Sequence, residues 1–532
     1  MSIRARFAPS PTGQVHIGNI RVAIFNWLFA RHENGRFLLR IEDTDRERCT
    51  PEAIATLLDS MHWLGLDYDE EALYQSTQFD RQHALAEWLL EQGYAYRSGE
   101  ESQGTAIVFR IPWEARSYDC VHYSEQVDVQ LHADEPLVID ATGVNYAHIS
   151  RKGKPVKEKS CLVGMADLAV YDTDGGCLFY MPDAIDEILE GGKSFSFDNA
   201  ARLSFSRHNV SYNDIIKGTL SKPLDSLKDM VIVRSDGSPV FHLANVSDDI
   251  TQEITHIIRG DDHVENTYRH ILLYKALQYD PPRYAHLPMI VNAQGKPYSK
   301  RDGDAFVGDF RSKGYLPEAL FNYLSLLGWS PGDDREKMSR GELVEAFTLD
   351  RVQHTPAQVD LRKLEHLNGQ YIAELNVQDF VSQAREFADE QPWGDNIDEK
   401  QFQRVAELMQ TRTKKLVDVE SWAHFFRDIP EYDQQACRKM LTNAETRQAL
   451  SRVREKFQTI SFEEGEIEQA IHAATEEVGI KQGKLNQPLR VAVTGRTVGA
   501  GIYETLAVLG REAACRRLDY AINNLCGEDD DE

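Results

Sequence analysis

Residues 6–19 read RFAPSPTGQVHIGN and connect a short apolar strand to a helix. Alternating apolar residues at 3–8 predict the strand, and beyond the loop apolar residues recur at helical spacing. A second buried strand is predicted at residues 37–41, so that the start of the chain forms one β-α-β unit. Such a unit closes right-handed with parallel strands, and its ligands bind beyond the carboxyl ends of those strands. The loop should therefore meet the pair Glu42-Asp43 at one cleft.

The loop of this unit has the residues of a phosphate-binding turn. Its two prolines restrict the backbone, and Gly13 and Gly18 permit turns and close approach to a ligand. His16 precedes a helix whose N-terminal N–H groups and dipole favour a phosphate. From the residues alone, a tight strand-to-helix loop with a surface histidine is an equally good interpretation.

The composition excludes several classes of protein. The chain has 532 residues, and 42% of them are hydrophobic and 27% charged, which is typical of a globular protein. This length predicts about three to four domains. No run of about 18 apolar residues indicates a membrane span, and the first residues lack a signal-peptide pattern. Seven scattered cysteines favour reduced thiols and a cytoplasmic location over a disulfide framework.

The net charge of −26 argues at first against a nucleic-acid partner, because neutralising phosphates needs lysine and arginine. The charge is unevenly distributed, however. Residues 101–200 contain 8 basic and 17 acidic side chains, a local net charge of −9, whereas residues 481–520 contain seven basic and three acidic ones. The second segment is a candidate phosphate-facing surface, although solvated helix faces with scattered arginines would give the same count.

The remaining pattern predicts an inserted domain and a helical C-terminal part. Residues 97–230 show short strands, glycine and aspartate turns, and no long helix. Residues 254–310 return to alternating strands and helices, with one strand expected at 286–291. From about residue 311 the pattern is helical almost to the end. The predicted fold class is α/β: a Rossmann-type catalytic domain, split by an inserted mostly-β or α+β domain and followed by an all-α part.

The 6–19 stretch resembles the first signature of class I aminoacyl-tRNA synthetases, and its RFAPSPTG lead-in resembles that of glutamyl-tRNA synthetases. The likeness continues through RIEDTD at 40–45, RSDGSP at 234–239 and RGDDH at 259–263. It covers nearly the whole chain except about 98–205. The resemblance implies ATP-dependent activation of L-glutamate, with Mg²⁺ on the ATP phosphates, and transfer of the glutamyl group to the 3′ end of tRNA(Glu).

The resemblance also implies a division of the chain into five parts. They are a first Rossmann half at 1–97, an inserted acceptor-arm-binding domain at 98–229, a second Rossmann half with a Ser-Lys-Arg loop at 230–310, a helical stem-contact domain at 311–390 and a helical anticodon-binding domain at 391–532. A cytoplasmic monomer without membrane attachment is expected.

Position-by-position matching to the family assigns a glutamate pocket. Arg6 and Arg259 would bind the carboxylates of the substrate, since two guanidinium forks suit a diacid, and Glu42 would hold the α-ammonium. The full set of assigned residues is Arg6, Ala8, Ser10, Glu42, Phe241, Asn245 and Arg259. Phe241 stands where the family commonly has tyrosine, so one hydroxyl of the usual pocket is absent.

The same matching assigns catalytic roles to His16, Gly18 and Lys300, and ATP binding to these three residues with Asp262 and Ile290. Lys300 lies in the segment PYSKR, residues 297–301, at the place of the mobile second signature of the class. The last lysine of that signature contacts the ATP phosphates, where a flexible ammonium can stabilise developing charge. The first position of this segment, usually lysine, is proline here, and Lys296 could compensate.

A second segment, EKMSR at 336–340, resembles this signature more closely in its order of residue types. It lacks the second lysine. Ser339 and Glu342 have the spacing of a capping box at the start of a helix, which favours a structural role.

The helical C-terminal part resembles the family's anticodon-binding domain, notably at PLRVAVTGR, residues 488–496. The tRNA-binding candidates are Arg490, Arg496, Lys481 and Lys484.

Some family members bind zinc through cysteines that follow a tyrosine, but here Tyr96 is followed by Arg97 and Ser98. Cys120 and His122 are two ligands short of a closed tetrahedral site. The sequence therefore predicts no zinc and no other protein-bound metal.

Three alternatives stay open. The first is a glutaminyl-type synthetase, against which the RFAPSPTG lead-in argues. The second is a truncated relative that glutamylates a modified base, against which the long helical C-terminal part argues. The third is a catalytically inactive nucleotide- or tRNA-binding paralogue, for which Pro297 and Phe241 are the hints.

Overall fold

The order of strands and helices confirms the predicted α/β architecture with a helical C-terminal part. The computed structural model describes residues 2–45, 47–99, 104–132, 135–150, 152–395 and 397–526. The strands are β1 (Arg4–Phe7), β2 (Arg36–Ile41), β3 (Leu73–Tyr74), β4 (Ala95–Ser98), β5 (Ala106–Phe109), β6 (Val121–Gln130), β7 (Leu137–Asp140), β8 (Gly143–Ile149), β9 (Pro155–Ser160), β10 (Ala169–Tyr171), β11 (Cys177–Tyr180), β12 (Phe195–Phe197), β13 (Arg202–Asp214), β14 (Gly218–Pro223), β15 (Met230–Val233), β16 (His256–Gly260), β17 (Arg283–Leu287), β18 (Ile290–Val291) and β19 (Ala357–Gln358).

The α-helices alternate with strands in the first part of the chain and dominate its last part. They are α1 (Ile17–His32), α2 (Pro51–Trp63), α3 (Phe79–Glu91), α4 (Met181–Leu189), α5 (Phe241–Thr251), α6 (Val264–Ala276), α7 (Val307–Ser312), α8 (Pro317–Leu326), α9 (Arg340–Ala346), α10 (Leu361–Glu374), α11 (Val377–Asp389), α12 (Glu399–Met409), α13 (Ala423–Phe426), α14 (Gln434–Met440), α15 (Ala444–Lys456), α16 (Glu464–Val478), α17 (Gln482–Thr494) and α18 (Ile502–Asn524).

Five parallel strands form the centre of the catalytic region, in the order β3-β2-β1-β16-β17. Strand β1 pairs with β2 on one side and with β16 on the other, where Ala5 lies opposite Phe37 and His256. The order of the strands therefore reverses between β1 and β16. Ligands of open α/β sheets bind beyond the carboxyl ends of the strands at such a switch point.

Helix α1 follows the predicted apolar spacing. The apolar residues that predicted it are all buried: Ile20, Ala23, Ile24, Trp27 and Leu28. Burial of each large apolar side chain contributes about 1.5–3 kcal/mol before the entropy cost of ordering the chain. The helix gives way to β2 at Asn34, whose φ of 50° lies in the left-handed region that asparagine tolerates. The predicted β-α-β unit is thus confirmed.

The predicted insertion is mostly β, with the nine-residue helix α4 between its strands. Its longest strand, β13, pairs antiparallel with β6, β10 and β14. At its last residue β13 also pairs in parallel with β17, where Asp214 lies opposite Tyr284. The sheet of the inserted segment is therefore continuous with the central sheet, and Asp214 reaches the edge of the catalytic region.

The prediction of a single strand at 286–291 is wrong. Strand β17 ends at Leu287, and Ile290 and Val291 form β18, which pairs with β19 instead of continuing in the central sheet. Pro288 lies between them and has no backbone N–H to donate to a sheet. The chain turns away at this point, at the carboxyl end of β17.

Two compact units divide the chain: Met1–Val307 with Leu324–Val359, and Gly308–Tyr323 with Asp360–Glu532. The first contains the sheets described above. The second is helical and has its own apolar core, which includes Phe380, Trp422, Leu450, Leu489 and Leu518.

Candidate active site

A cleft of about 570 Å³ opens at the carboxyl ends of β1, β2, β16 and β17. The cleft is lined by all the residues predicted for glutamate, Arg6, Ala8, Ser10, Glu42, Phe241, Asn245 and Arg259, and by His16, Gly18, Asp262 and Ile290 from the predicted ATP set. Lys300 does not line it.

A buried ionic cluster holds Arg6 at the floor of the cleft. The Nε of Arg6 donates to Asp249 Oδ1 at 2.9 Å, and Arg40 Nη1 donates to the same oxygen at 2.6 Å. All three side chains are buried. Burial alone would raise the pKa of Asp249, but the charges of Arg40 and Arg6 and their hydrogen bonds together hold this pKa below its usual range. Arg6 keeps both Nη atoms without a hydrogen bond among the described residues.

Glu42 is fixed by three contacts from different parts of the fold. Its backbone N–H donates to the carbonyl of Pro9 at 2.9 Å, which ties the end of β2 to the first loop. Its Oε1 accepts from Asn245 Nδ2 at 3.2 Å and from Arg40 Nη2 at 3.5 Å. The Oδ1 atom of Asn245 is buried and has no partner in the described chain. The cleft therefore offers a carboxylate and a free amide oxygen, both of which suit an ammonium group.

Arg259 is held on the opposite strand, at the end of β16. Its Nη2 donates to Thr267 Oγ1 at 2.6 Å, and its Nε donates to His286 Nε2 at 3.3 Å. Its Nη1 is buried without a partner among the described residues. Burial lowers the pKa of Arg259, and the nearby charge of Arg6 acts in the same direction. Two like charges in one cleft attract an anionic ligand.

His16 caps α1 and is locked in orientation. Its Nδ1 accepts from the Gly18 N–H at 3.0 Å, and a Cβ on Gly18 would lie 3.1 Å from that nitrogen. Burial lowers the pKa of His16, although a hydrogen bond with the Tyr298 backbone opposes this effect. The imidazole is therefore neutral at pH 7 and stands at the helix N-terminus, where a phosphate is favoured.

The Ser-Lys-Arg loop lies beside the cleft rather than in it. Pro297 and Tyr298 line the cleft, but Lys300 is exposed. Ser299 donates from both its N–H and its Oγ to Asp302 Oδ2 at 2.9 Å, and these bonds close a tight exposed turn. Lys296 is also exposed. The structure thus brings the start of this segment to the cleft, while the contact of Lys300 with ATP stays a prediction.

The similar segment at 336–340 is structural, as predicted. Ser339 Oγ accepts from the Glu342 N–H, and the Glu342 carboxylate accepts from the Ser339 N–H, which completes the capping box of α9. Met338 is buried, and Arg340 donates to the carbonyls of Leu64 and Gly65 at 2.8 Å.

In the helical unit the tRNA-binding candidates differ in accessibility. Lys481, Lys484 and Arg496 are exposed, whereas Arg490 is half-buried and donates to the carbonyl of Ala500. Arg517, which contributes to the local basic excess, is buried against backbone carbonyls, including that of Val493 at 2.7 Å. The number of exposed basic side chains in this segment is therefore smaller than the seven counted in its sequence.

The motifs in the sequence do not include the side chains that hold the two arginines. Asp249 was not singled out, yet it lies four residues after Asn245 and eight after Phe241, so that all three share one face of α5. That spacing is a signal that the sequence contains. The contact between His286 and Asp214 could not be predicted from the sequence, because the two residues lie on strands that are distant in the chain and meet only in the folded sheet.

Among the described residues, no three histidine, cysteine, aspartate or glutamate side chains cluster as a metal site. All seven cysteines are free thiols. Of the helices in the described ranges, none combines the length and apolar character needed to cross a membrane.

A parallel sheet with this strand order and a glycine-containing turn at its switch point is typical of a nucleotide-binding α/β catalytic domain. The sequence profile of "tRNA synthetases class I (E and Q), catalytic domain" matches residues 2–105 and 185–366, and that of "Anticodon binding domain" matches residues 379–522. The chain belongs to the class I tRNA synthetase (E and Q) family, and it is an aminoacyl-tRNA ligase. Enzymes of this class use ATP.

Full-length relatives agree with this membership. The chain is 36% identical over 520 residues to "Glutamate--tRNA ligase 1" of Granulibacter bethesdensis, covering 98% of this chain and 97% of the relative. It is 32% identical over 524 residues to "Glutamate--tRNA ligase 1" of Caldanaerobacter subterraneus subsp. tengcongensis, with the same coverage. A crystal structure of a glutamate tRNA ligase from Elizabethkingia meningosepticum in complex with its amino acid superposes with a TM-score of 0.72 at 26% identity, covering 99% of this chain and 100% of that one.

Proposed function

We propose that this chain is a glutamate–tRNA ligase, which activates L-glutamate with ATP and transfers it to the 3′ end of tRNA(Glu). One observation carries the choice of amino acid: Arg6 and Arg259 line the same cleft with unengaged Nη atoms, together with Glu42. Two guanidinium groups match the two carboxylates of a diacid, and Glu42 with Asn245 matches its ammonium group.

The first step joins glutamate to the adenylate. An oxygen of the α-carboxylate attacks the α-phosphorus of ATP, the bond to the bridging oxygen breaks, and pyrophosphate leaves. No general base is needed because the carboxylate is already ionised. His16 and Gly18 at the helix N-terminus, with Asp262 and Ile290, would hold the nucleotide. Mg²⁺ would be bound to the phosphates of the ATP when it enters the cleft. In the second step a terminal ribose hydroxyl of the tRNA attacks the glutamyl carbonyl, and AMP leaves.

Lys300 is proposed to move to the phosphates when ATP binds. It sits in an exposed turn directly after Pro297 and Tyr298, which line the cleft, so that a movement of this loop would bring it to the nucleotide. A mobile cation that arrives with the charged transition state stabilises it more than the ground state.

The division into five parts is also part of the proposal. Residues 98–229 would contact the acceptor arm, 311–390 the tRNA stem and 391–532 the anticodon, with Lys481, Lys484, Arg490 and Arg496 facing phosphates. We further propose that the enzyme is a cytoplasmic monomer that holds no zinc.

ATP–pyrophosphate exchange with glutamate, glutamine or aspartate, each with and without tRNA, tests the proposed amino acid. We expect exchange only with glutamate. Because lysine cannot offer a two-pronged fork, Arg6→Lys should raise the glutamate KM about tenfold or more. Arg4→Lys is the matched control on the same strand, since Arg4 pairs with Glu70 away from the cleft. Exchange with glutamine alone, or with none of the three, would overturn the proposal.

A further inference from the structure

Two buried side chains behind Arg259 form, together with it, a chain of hydrogen bonds across three strands. Asp214 ends β13, His286 lies in β17 and Arg259 lies in β16. The Oδ2 of Asp214 lies 2.6 Å from His286 Nδ1, and Arg259 Nε lies 3.3 Å from His286 Nε2. Asp214 and His286 do not line the cleft, and Arg259 is the member of the chain that does.

The contacts determine which nitrogen of His286 carries the proton. The Asp214 carboxylate is fixed by the N–H groups of Ile216 and Lys217, which donate to its Oδ1 at 3.0 and 2.8 Å. Burial would raise the pKa of Asp214, but the hydrogen bonds from the His286 side chain and from the backbone N–H groups of Lys217 and His286 together lower it, so the carboxylate is ionised and can only accept. Nδ1 of His286 must therefore donate, which leaves a lone pair on Nε2 that faces the Nε–H of Arg259 at 3.3 Å and the Thr267 hydroxyl at 3.1 Å.

This arrangement limits what Arg259 can offer to a ligand. Its Nε is engaged by His286 and its Nη2 by Thr267, so Nη1 is the nitrogen left over. Arg6 differs, because only its Nε is engaged, by Asp249. Among the described residues, Arg6 thus has two nitrogens without a hydrogen bond, whereas Arg259 has one, its buried Nη1.

We propose that Asp214 and His286 are positioning residues of the amino-acid site, which act by holding the guanidinium of Arg259 with Nη1 towards the bound carboxylate. This inference rests on the proposed function, since it takes glutamate as the ligand of Arg259. It gives the inserted segment, through the end of β13, a direct structural link to substrate binding.

His286→Leu tests the proposal, because leucine is similar in size and removes both ring nitrogens. We expect the glutamate KM to rise about tenfold or more, the effect of losing one charge-assisted hydrogen bond. The KM values for ATP and tRNA should change less than about twofold. His286→Gln should recover most of the affinity, since its Oε1 can accept from Arg259 Nε.

His256→Leu is the matched control. His256 is also buried in the central sheet, but it lies at the start of β16, next to Thr255 and Phe29 and away from the cleft. Its loss should leave the glutamate KM unchanged. A glutamate KM in His286→Leu equal to that of the wild type would overturn the proposal, as would an equal rise in the ATP KM.

A double-mutant cycle separates positioning from a general loss of structure. If His286 acts through Arg259, then His286→Leu should add no further increase in glutamate KM to Arg259→Lys, whereas independent effects would add. Additive effects count against the proposal. A wild-type enzyme that never activates glutamate would instead contradict the proposed function itself, so the two failures are distinguishable.

Discussion

The segments at 297–301 and 336–340 both place a serine before a basic residue, yet the fold uses them differently. In the first, Ser299 bonds with Asp302 in an exposed turn, and Lys300 is left exposed next to residues that line the cleft. In the second, Ser339 caps α9 and Arg340 is bound to two carbonyls of another loop. Similar residues at similar spacing therefore do not imply a similar function. The function depends on the hydrogen-bond partners of each segment and on whether its basic side chain is exposed.

The largest expected effect is on catalysis in the first segment. Lys300→Ala should lower the rate of glutamate activation by about 10²–10³-fold, the usual cost of removing one group that stabilises transition-state charge. The tRNA affinity should be retained. Pyrophosphate exchange and a tRNA-binding titration measure the two quantities.

Lys337→Ala is the control for that comparison, since it removes the same charge from the second segment. Its activation rate should stay within about twofold of the wild type. Equal losses in the two variants would show that the two segments do not differ in function.

A smaller effect is expected on stability in the second segment. Arg340→Ala leaves the carbonyls of Leu64 and Gly65 without their charged donor, which should cost about 1–3 kcal/mol of unfolding free energy. The apparent Tm should fall by several degrees, while glutamate activation at 25 °C is kept. A variant with unchanged Tm and impaired activation would reverse the roles assigned to the two segments.

The smallest effect separates the two serines. Ser339→Ala removes a helix cap and should cost about 1 kcal/mol, whereas Ser299→Ala acts in an exposed turn and should leave the Tm within about one degree. Differential scanning calorimetry of the pair provides the measurement. A larger loss for Ser299→Ala would indicate that its turn, and not the cap, stabilises the fold.

The proposed glutamate pocket shows how much of a binding site can be predicted from one sequence. Arg6, Ala8 and Ser10 follow one another at the end of β1, and Glu42 follows β2, so the position of each residue in a β-α-β unit already predicted that they meet. Lys300 shows the limit of this argument. It lies in a turn whose place relative to the phosphates depends on loop movement, and no periodicity in the sequence determines that.

Local sequence patterns determined where several helices and strands lie in the chain, and with them the general position of the cleft. The apolar spacing of α1, the apolar run of β2 and the capping box of α9 depend on residues that are close in the chain, so they can be recognised from the sequence. The resemblance of the motifs then indicated the family and the residues of the cleft.

Only the tertiary structure decided how those residues are held. Asp249 binds Arg6 and Arg40 across more than two hundred residues, and Asp214 reaches His286 from a different strand. The tertiary structure also showed that β17 ends at Leu287, immediately before Pro288. The guanidinium of Arg517 is bound to backbone carbonyls and is not available to RNA. The reason is physical: burial and hydrogen-bond partners are set by strands and helices that meet only when the chain has folded, whereas sequence spacing reports only what lies on one element.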